Sequence, residues 1–144
     1  MFSKACEYAI RAALYISVKS IGGSKLGIQE IAKETDSPTH FTAKILQRLA
    51  RQGIISSTKG PNGGFFLDPK SKPIPLSAIV KAIDGGDILH SCSLGLKDCS
   101  NKFPCPIHNE IMAYKDRLRK VMNEKTVQQL AIDLAQGKTF LKNY

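Results

Sequence analysis

A mostly α-helical domain carrying a small β-wing is the fold class this sequence predicts, on three observations. Apolar residues recur at three- and four-residue spacing in successive segments that Gly or Pro interrupts. Two short β-prone runs, Ile54-Ile55-Ser56 and Phe65-Phe66-Leu67, flank the turn-forming stretch Lys59-Gly60-Pro61-Asn62-Gly63-Gly64. The chain has 144 residues, enough for one domain, or one small domain with an appendage, that buries a core without disulfide staples.

The elements follow in order. A first helix is predicted from about Phe2 through Val18, with Ala5, Ala9, Ala12, Ala13 and Ile16 on its apolar face, and Gly22-Gly23-Ser24 ends it. A second, short helix fits residues 28 to 34 and buries Ile28, Ile31 and Ala32. Ser37-Pro38 then signals a helix start, because Ser at the N-cap accepts a free backbone N–H and Pro has none to lose. This third helix runs to about Gln52 and stops at Gly53. After the hairpin, Pro69 to Pro75 is an extended link into a helix over residues 76–83, closed by Gly85-Gly86. Beyond Pro106, the residues Ile107, Ile111, Tyr114, Leu118, Val121 and Met122 have near-heptad spacing on a helix of about twenty residues, or ~30 Å. Thr126-Val127-Gln128-Gln129 opens a final helix with a capping box, and that helix ends near Gly137. Three helices followed by a hairpin is the order of a winged helix-turn-helix.

The charge distribution points the same way. Lys and Arg number 21 against 12 Asp and Glu, a formal charge of +9 that suits a polyanionic partner. No acidic residue occurs between Pro38 and Leu67, where Lys44, Arg48, Arg51 and Lys59 all lie, whereas residues 73–144 are close to balanced. A one-signed window of this kind is expected of a phosphate-binding surface. On the third helix, Phe41, Ile45 and Leu49 make the core-facing stripe; Thr39, His40, Ala43, Lys44, Gln47 and Arg51 make the opposite face. Those small, polar and basic groups suit reading of the major groove. Lys59, Asn62 and Gly63 sit at the wing, where a cation and backbone N–H groups can press on phosphates or the minor groove. Double-stranded DNA is therefore the expected partner. No phosphate loop or paired Cys–His–acid arrangement supports an enzyme. The longest early apolar stretch, Ala12 to Val18, contains Ser17 and is too short to span a bilayer, and no targeting segment is visible. A cytoplasmic protein with reduced thiols and no membrane partner is expected.

Cys92, Cys99 and Cys105 lie close together, and His108 follows the last by three positions. Ser93, Gly95, Asp98, Ser100, Asn101, Pro104 and Pro106 surround them, a loop composition with little reason to bury thiols. Three thiolates and one imidazole suit zinc or an iron–sulfur cluster, with free redox-active thiols a third reading. Cys6 falls in the Ala-rich first helix and reads as a small buried residue.

The run from Phe41 to Leu67, with Ile45-Leu46, Leu49, Gly53-Ile54-Ile55, Ser57 and Lys59 through Phe65, resembles the Rrf2 family of bacterial winged-helix regulators. Glu7-Tyr8-Ala9-Ile10-Arg11-Ala12 resembles that family's first helix, and the chain from Thr126 onward its last. The cysteine loop resembles the cluster-binding, IscR- and NsrR-like branch of the family, which also has cluster-free members. The resemblance implies a homodimeric transcriptional regulator, a repressor by expectation, that binds a palindromic operator and senses iron–sulfur status, nitric oxide or redox stress. It implies Cys92, Cys99 and Cys105 as cluster ligands, with His108 as the fourth ligand of a [2Fe–2S] cluster. Glu7, reaching in from a partner subunit, is the alternative fourth ligand, of a [4Fe–4S] cluster. Ligand chemistry permits both; the closeness of His108 to the loop favours the first. The alternative function is a cluster-free winged-helix regulator switched by a metabolite or by thiol oxidation. Residues 1–84 are read as the winged helix-turn-helix DNA-binding domain, 85–106 as the cysteine loop, and 107–144 as the dimerisation helix and C-terminal helix. Pairing through the long helix suits a reader of two half-sites.

Overall fold

A computed structural model describes residues 1–142. Six α-helices and one antiparallel hairpin make up the regular structure of these residues: α1 (Lys4–Ile21), α2 (Ile28–Glu34), α3 (Thr39–Arg51), β1 (Ser56–Thr58), β2 (Gly64–Phe66), α4 (Leu76–Asp84), α5 (His108–Glu124) and α6 (Val127–Ala135). A 3-10 turn, Gly86–Leu89, follows α4. No helix among the described residues is long and apolar enough to cross a membrane.

The N-terminus of α1 is capped by Ser3, whose hydroxyl accepts the Cys6 N–H at 3.0 Å. Its inward face carries Cys6, Ala9, Ala12, Ala13 and Ile16, all at most 2% exposed. Small residues there let the helix lie close to its neighbours, and α3, α4 and α6 all pack on it. Ile31, Leu46, Leu49, Ile79, Val80 and Val127 fill the space between, each at most 1% exposed. Burying such aliphatic side chains contributes roughly 1.5–3 kcal/mol each, so this layer is the principal source of stability.

The hairpin pairs Ser56 with Phe66, Ser57 with Phe65 and Thr58 with Gly64. Leu26, from the loop between α1 and α2, forms a third edge: its N–H donates to Phe65 O at 2.9 Å, and its carbonyl accepts the Phe65 N–H at 2.8 Å. That approach explains Gly64 beyond turn chemistry. A Cβ there would lie 2.7 Å from Leu26 O, and φ is +145°. The strands start and end slightly differently from the sequence expectation, because Ile54 and Ile55 are buried in the core before β1 begins.

The start of α3 corrects one expectation. Pro38, not Ser37, is the N-cap, and no side chain caps the helix. The Ser37 hydroxyl instead lies 2.6 Å from Thr42 Oγ1 and 3.0 Å from Thr35 Oγ1, and the Thr42 hydroxyl donates to Pro38 O at 2.9 Å. Thr42 is consequently 1% exposed, while the expected core residue Phe41 is only half-buried and meets Tyr8 edge-on at 5.8 Å. The Thr126 capping box at the start of α6 is present as expected.

α5 differs from the other helices. It packs on α4 and the 3-10 turn, and only His108, Lys115 and Met122 along it are buried. It begins at His108, with Ile107 as N-cap, so Pro106 lies just outside the helix. The link into α4 returns to its far end: Leu76 N–H donates to Lys125 O, and Val127 N–H donates to Ile74 O.

Candidate DNA-reading face and cysteine segment

α2, a sharp turn and α3 form the helix-turn-helix. Asp36 makes the turn in a left-handed conformation, φ 52°, which its short polar side chain tolerates better than most. Because Ile45, Leu46 and Leu49 are buried, α3 turns Thr39, His40, Lys44, Gln47 and Arg51 outward, all exposed, with Ala43 half-buried beside them. Lys59 and Asn62 are exposed on the wing, and Gly63 is partly covered. The α3 residues expected to read DNA thus lie on the solvent side of the helix, Ala43 only partly. Arg48, absent from the sequence-based face, is exposed on the same helix. Lys25 was also missed; its ammonium lies 5.1 Å from the centre of the Phe66 ring, which adds a cation to the wing root. Its sequence neighbourhood has no strand character, so only the Leu26–Phe65 pairing reveals this placement.

Residues 90–107 contain no helix or strand. Cys99 is exposed, while Cys92 and Cys105 are half-buried. His108 is 6% exposed and has both ring nitrogens engaged: Nε2 lies 2.7 Å from Asn101 Oδ1, and Nδ1 lies 3.5 Å from Cys99 Sγ. With Asn101 Oδ1 able only to accept, Nε2 is the donor, and in the neutral ring Nδ1 then faces Cys99 as an acceptor. Three thiols and an imidazole would suit a soft metal; of these four side chains, Cys99 and His108 are the pair in contact among the described residues. Among the described residues, no three of His, Cys, Asp and Glu stand close enough to hold a metal ion.

Glu7 lies apart, on the first turn of α1, where Lys4 Nζ donates to its carboxylate at 2.9 Å. That hydrogen bond, chiefly, holds the Glu7 carboxyl below its ordinary range. Cys6 is a core residue, as expected: burial first, and the Asp84 carboxylate next, push its thiol up to about 12. Sequence reading missed Asn101, which orients His108, and the two cations Lys115 and Arg119 that reach the segment from α5. Neither cation belongs to the apolar repeat by which the sequence marks α5.

Comparison with known proteins accords with this architecture. The Rrf2 family, described as iron-dependent transcriptional regulators, matches residues 2–133. The HTH-type transcriptional regulator IscR of Escherichia coli is 25% identical over 124 residues, covering 86% of this chain and 75% of that protein. CymR, the global cysteine regulator of B. subtilis, has a similar solved structure with TM-score 0.73 and 20% identity, over 95% of this chain and 97% of that one. The solved T. potens IscR superposes with TM-score 0.71 and 16% identity, over 96% and 91% of the two chains. A family match over nearly the whole chain, on a winged helix-turn-helix with an outward basic reading face, makes this protein a member of the Rrf2 family of transcriptional regulators.

Proposed function

We propose that the protein is a homodimeric, cytoplasmic regulator that binds a palindromic operator and senses iron–sulfur status, nitric oxide or redox stress through its cysteine segment. In this reading residues 1–84 bind DNA, 85–106 sense and 107–144 pair the subunits. The observation that carries it is the Cys99–His108–Asn101 chain of contacts, which ties a thiol to the first turn of the long helix. Cys92, Cys99, Cys105 and His108 would hold an iron–sulfur cluster, [2Fe–2S] in preference to [4Fe–4S], with Nδ1 as the histidine donor and Asn101 orienting the ring. The family's description as iron-dependent supports this. When bound, the cluster would supply a redox- and nitric-oxide-sensitive centre.

Iron and sulfide counts beside an anaerobic absorption spectrum test it: a coloured protein that loses colour in Cys99→Ser is expected. His108→Ala should then alter the spectrum while Glu7→Ala leaves it unchanged; the reverse result would move the fourth ligand to Glu7 of a partner subunit. A specific observation favours a second reading, a cluster-free switch worked by thiol oxidation or by a metabolite. An imidazole in contact with an exposed thiol is the arrangement a reactive cysteine needs, and the fold is also that of a cysteine regulator. A colourless protein whose operator affinity still responds to oxidant would establish it.

Dimerisation is proposed through α5, where Ile107, Tyr114 and Val121 are 38–55% exposed and Ile111 and Leu118 are half-buried. Leu118→Glu would put an unpaired charge in that seam. Sedimentation should find monomers that bind a half-site weakly, and a variant fully dimeric at micromolar concentration would place the interface elsewhere.

A further inference from the structure

α5 carries two faces of different chemistry. The apolar residues Ile107, Ile111, Tyr114, Leu118 and Val121 run down one. One position further round, His108, Met112, Lys115 and Arg119 recur at intervals of four, three and four, which places them on a shared face. All four of these touch the stretch between Leu89 and Asn101. His108 meets Cys99 and Asn101, and Met112 Sδ lies 3.6 Å from Cys99 Sγ. Lys115 Nζ donates to Ser91 O, and Arg119 Nη1 donates to Leu89 O at 2.8 Å while its other nitrogen pairs with Asp116.

Lys115 stands out among these. It is 8% exposed, and no carboxylate lies within ion-pair distance of it among the described residues. Lysine is almost never so buried without a paired charge, because desolvating an ammonium is costly. Its site needs a reason, and the Ser91 carbonyl, just past the 3-10 turn, supplies one, as the Leu89 carbonyl at the turn's end does for Arg119. Oxygens at a helical C-terminus lack partners within the turn, and Lys or Arg side chains are suited to satisfy them. Leu89 and Ser91 lie three and one positions before Cys92, so two cations from one helix grip the root of the cysteine segment. His108 and Met112 grip it further along.

We infer that Lys115 and Arg119 are positioning residues that lock the root of the cysteine segment to α5, so that a change at the cysteines shifts the helix whose other face pairs the subunits. The locking stands on the contacts above; the transmission rests on the reading that the cysteines sense.

The test uses the full chain in Lys115→Met, Arg119→Leu and Lys115→Arg forms. Hydrogen exchange of the amides at residues 89–93 reads the lock. Operator affinity before and after reversible capping of thiols with methyl methanethiosulfonate reads the transmission. Losing a charge-assisted hydrogen bond should speed exchange about tenfold in Lys115→Met and Arg119→Leu, and Lys115→Arg should restore the slow rate. Affinity of the uncapped variants should stay within about twofold of the parent, while the affinity change on capping shrinks toward none. Exchange at the parental rate in both variants would overturn the lock. Accelerated exchange with a full capping response would overturn the transmission. A parent protein whose affinity ignores capping would defeat the sensing reading itself, and the exchange result would still decide the lock. Should Lys115→Met fail to fold, Arg119→Leu, whose side chain is 19% exposed, carries both measurements.

Discussion

Two connections in this molecule look alike in composition and are fixed by opposite means. The wing turn between Thr58 and Gly64 and the cysteine segment between Leu89 and His108 are both polar and both carry Gly and Pro. The wing is held by backbone: hairpin pairs, the Leu26–Phe65 bridge, and a close approach that only glycine at 64 permits. The cysteine segment is held largely by side chains of α5, through Lys115, Arg119, His108 and Met112. Backbone pairing does not respond to oxidation or ligation, whereas thiol and imidazole contacts do. In the proposed reading, the part that keeps its shape against DNA is built the first way, and the part that changes is built the second.

The comparison is sharpest in thiol chemistry. Cys6, inside the rigid body, is fully buried with its thiol pushed up to about 12. At pH 8 its thiolate fraction is on the order of one in ten thousand. Maleimide labelling of the reduced native protein, followed by mass spectrometry, should modify Cys99 first and Cys6 at least about a hundredfold more slowly. Equal rates would mean that the α1–α4 interface around Cys6 opens readily. The same burial fixes a pH trend. A group that prefers its neutral form when folded contributes stability below its unfolded pKa, and that stability is lost as pH rises from about 9 toward 12. Cys6→Ala should therefore flatten the alkaline side of the stability profile.

Next in size is a pair of glycine substitutions. Gly64→Ala drives a Cβ to 2.7 Å from Leu26 O at φ +145°, so the hairpin must move off the α1–α2 loop. A loss of about 2–3 kcal/mol in denaturant unfolding is expected, with weakened operator binding. Gly95, in the cysteine segment, also has positive φ, +72°, but a Cβ there meets nothing within 4 Å. Gly95→Ala should cost only about 1 kcal/mol, the backbone preference alone. Similar losses for the two would erase the distinction between a backbone-held and a side-chain-held connection.

How far the sequence revealed this arrangement follows the same division. Elements set by local chemistry were legible: the Gly-terminated helices, the Asn-Gly-Gly hairpin, the Thr126 capping box and the outward face of α3. Local rules failed where a distant partner intervened. Ser37 leaves its expected cap because Thr35 and Thr42 offer its hydroxyl closer partners, and with Thr42 buried, Phe41 shifts toward Tyr8. The three cysteines and His108 were visible as a group, but which of them meet depends on the path of a segment with no repeating structure. Nothing in a periodic pattern marks Lys115 as buried, since its carbonyl partner lies 24 positions away.

The smallest expected effect tests the wing where it should touch DNA. Lys59 is exposed at the entry to the turn and makes no ion pair among the described residues, so its charge is free for phosphate. If it neutralises one phosphate, Lys59→Ala should lower the slope of log affinity against log salt by about 0.9. Binding should weaken evenly across operator and random sequence, because phosphate contacts position without specifying. Lys44→Ala on α3 should do the same, whereas Gln47→Ala should relax sequence preference more than affinity, since an amide reads base edges. Because the wing's shape lies in its backbone, Lys59→Ala should leave folding stability unchanged to within ~0.5 kcal/mol. An unchanged salt slope in both lysine variants would remove this face from the DNA interface.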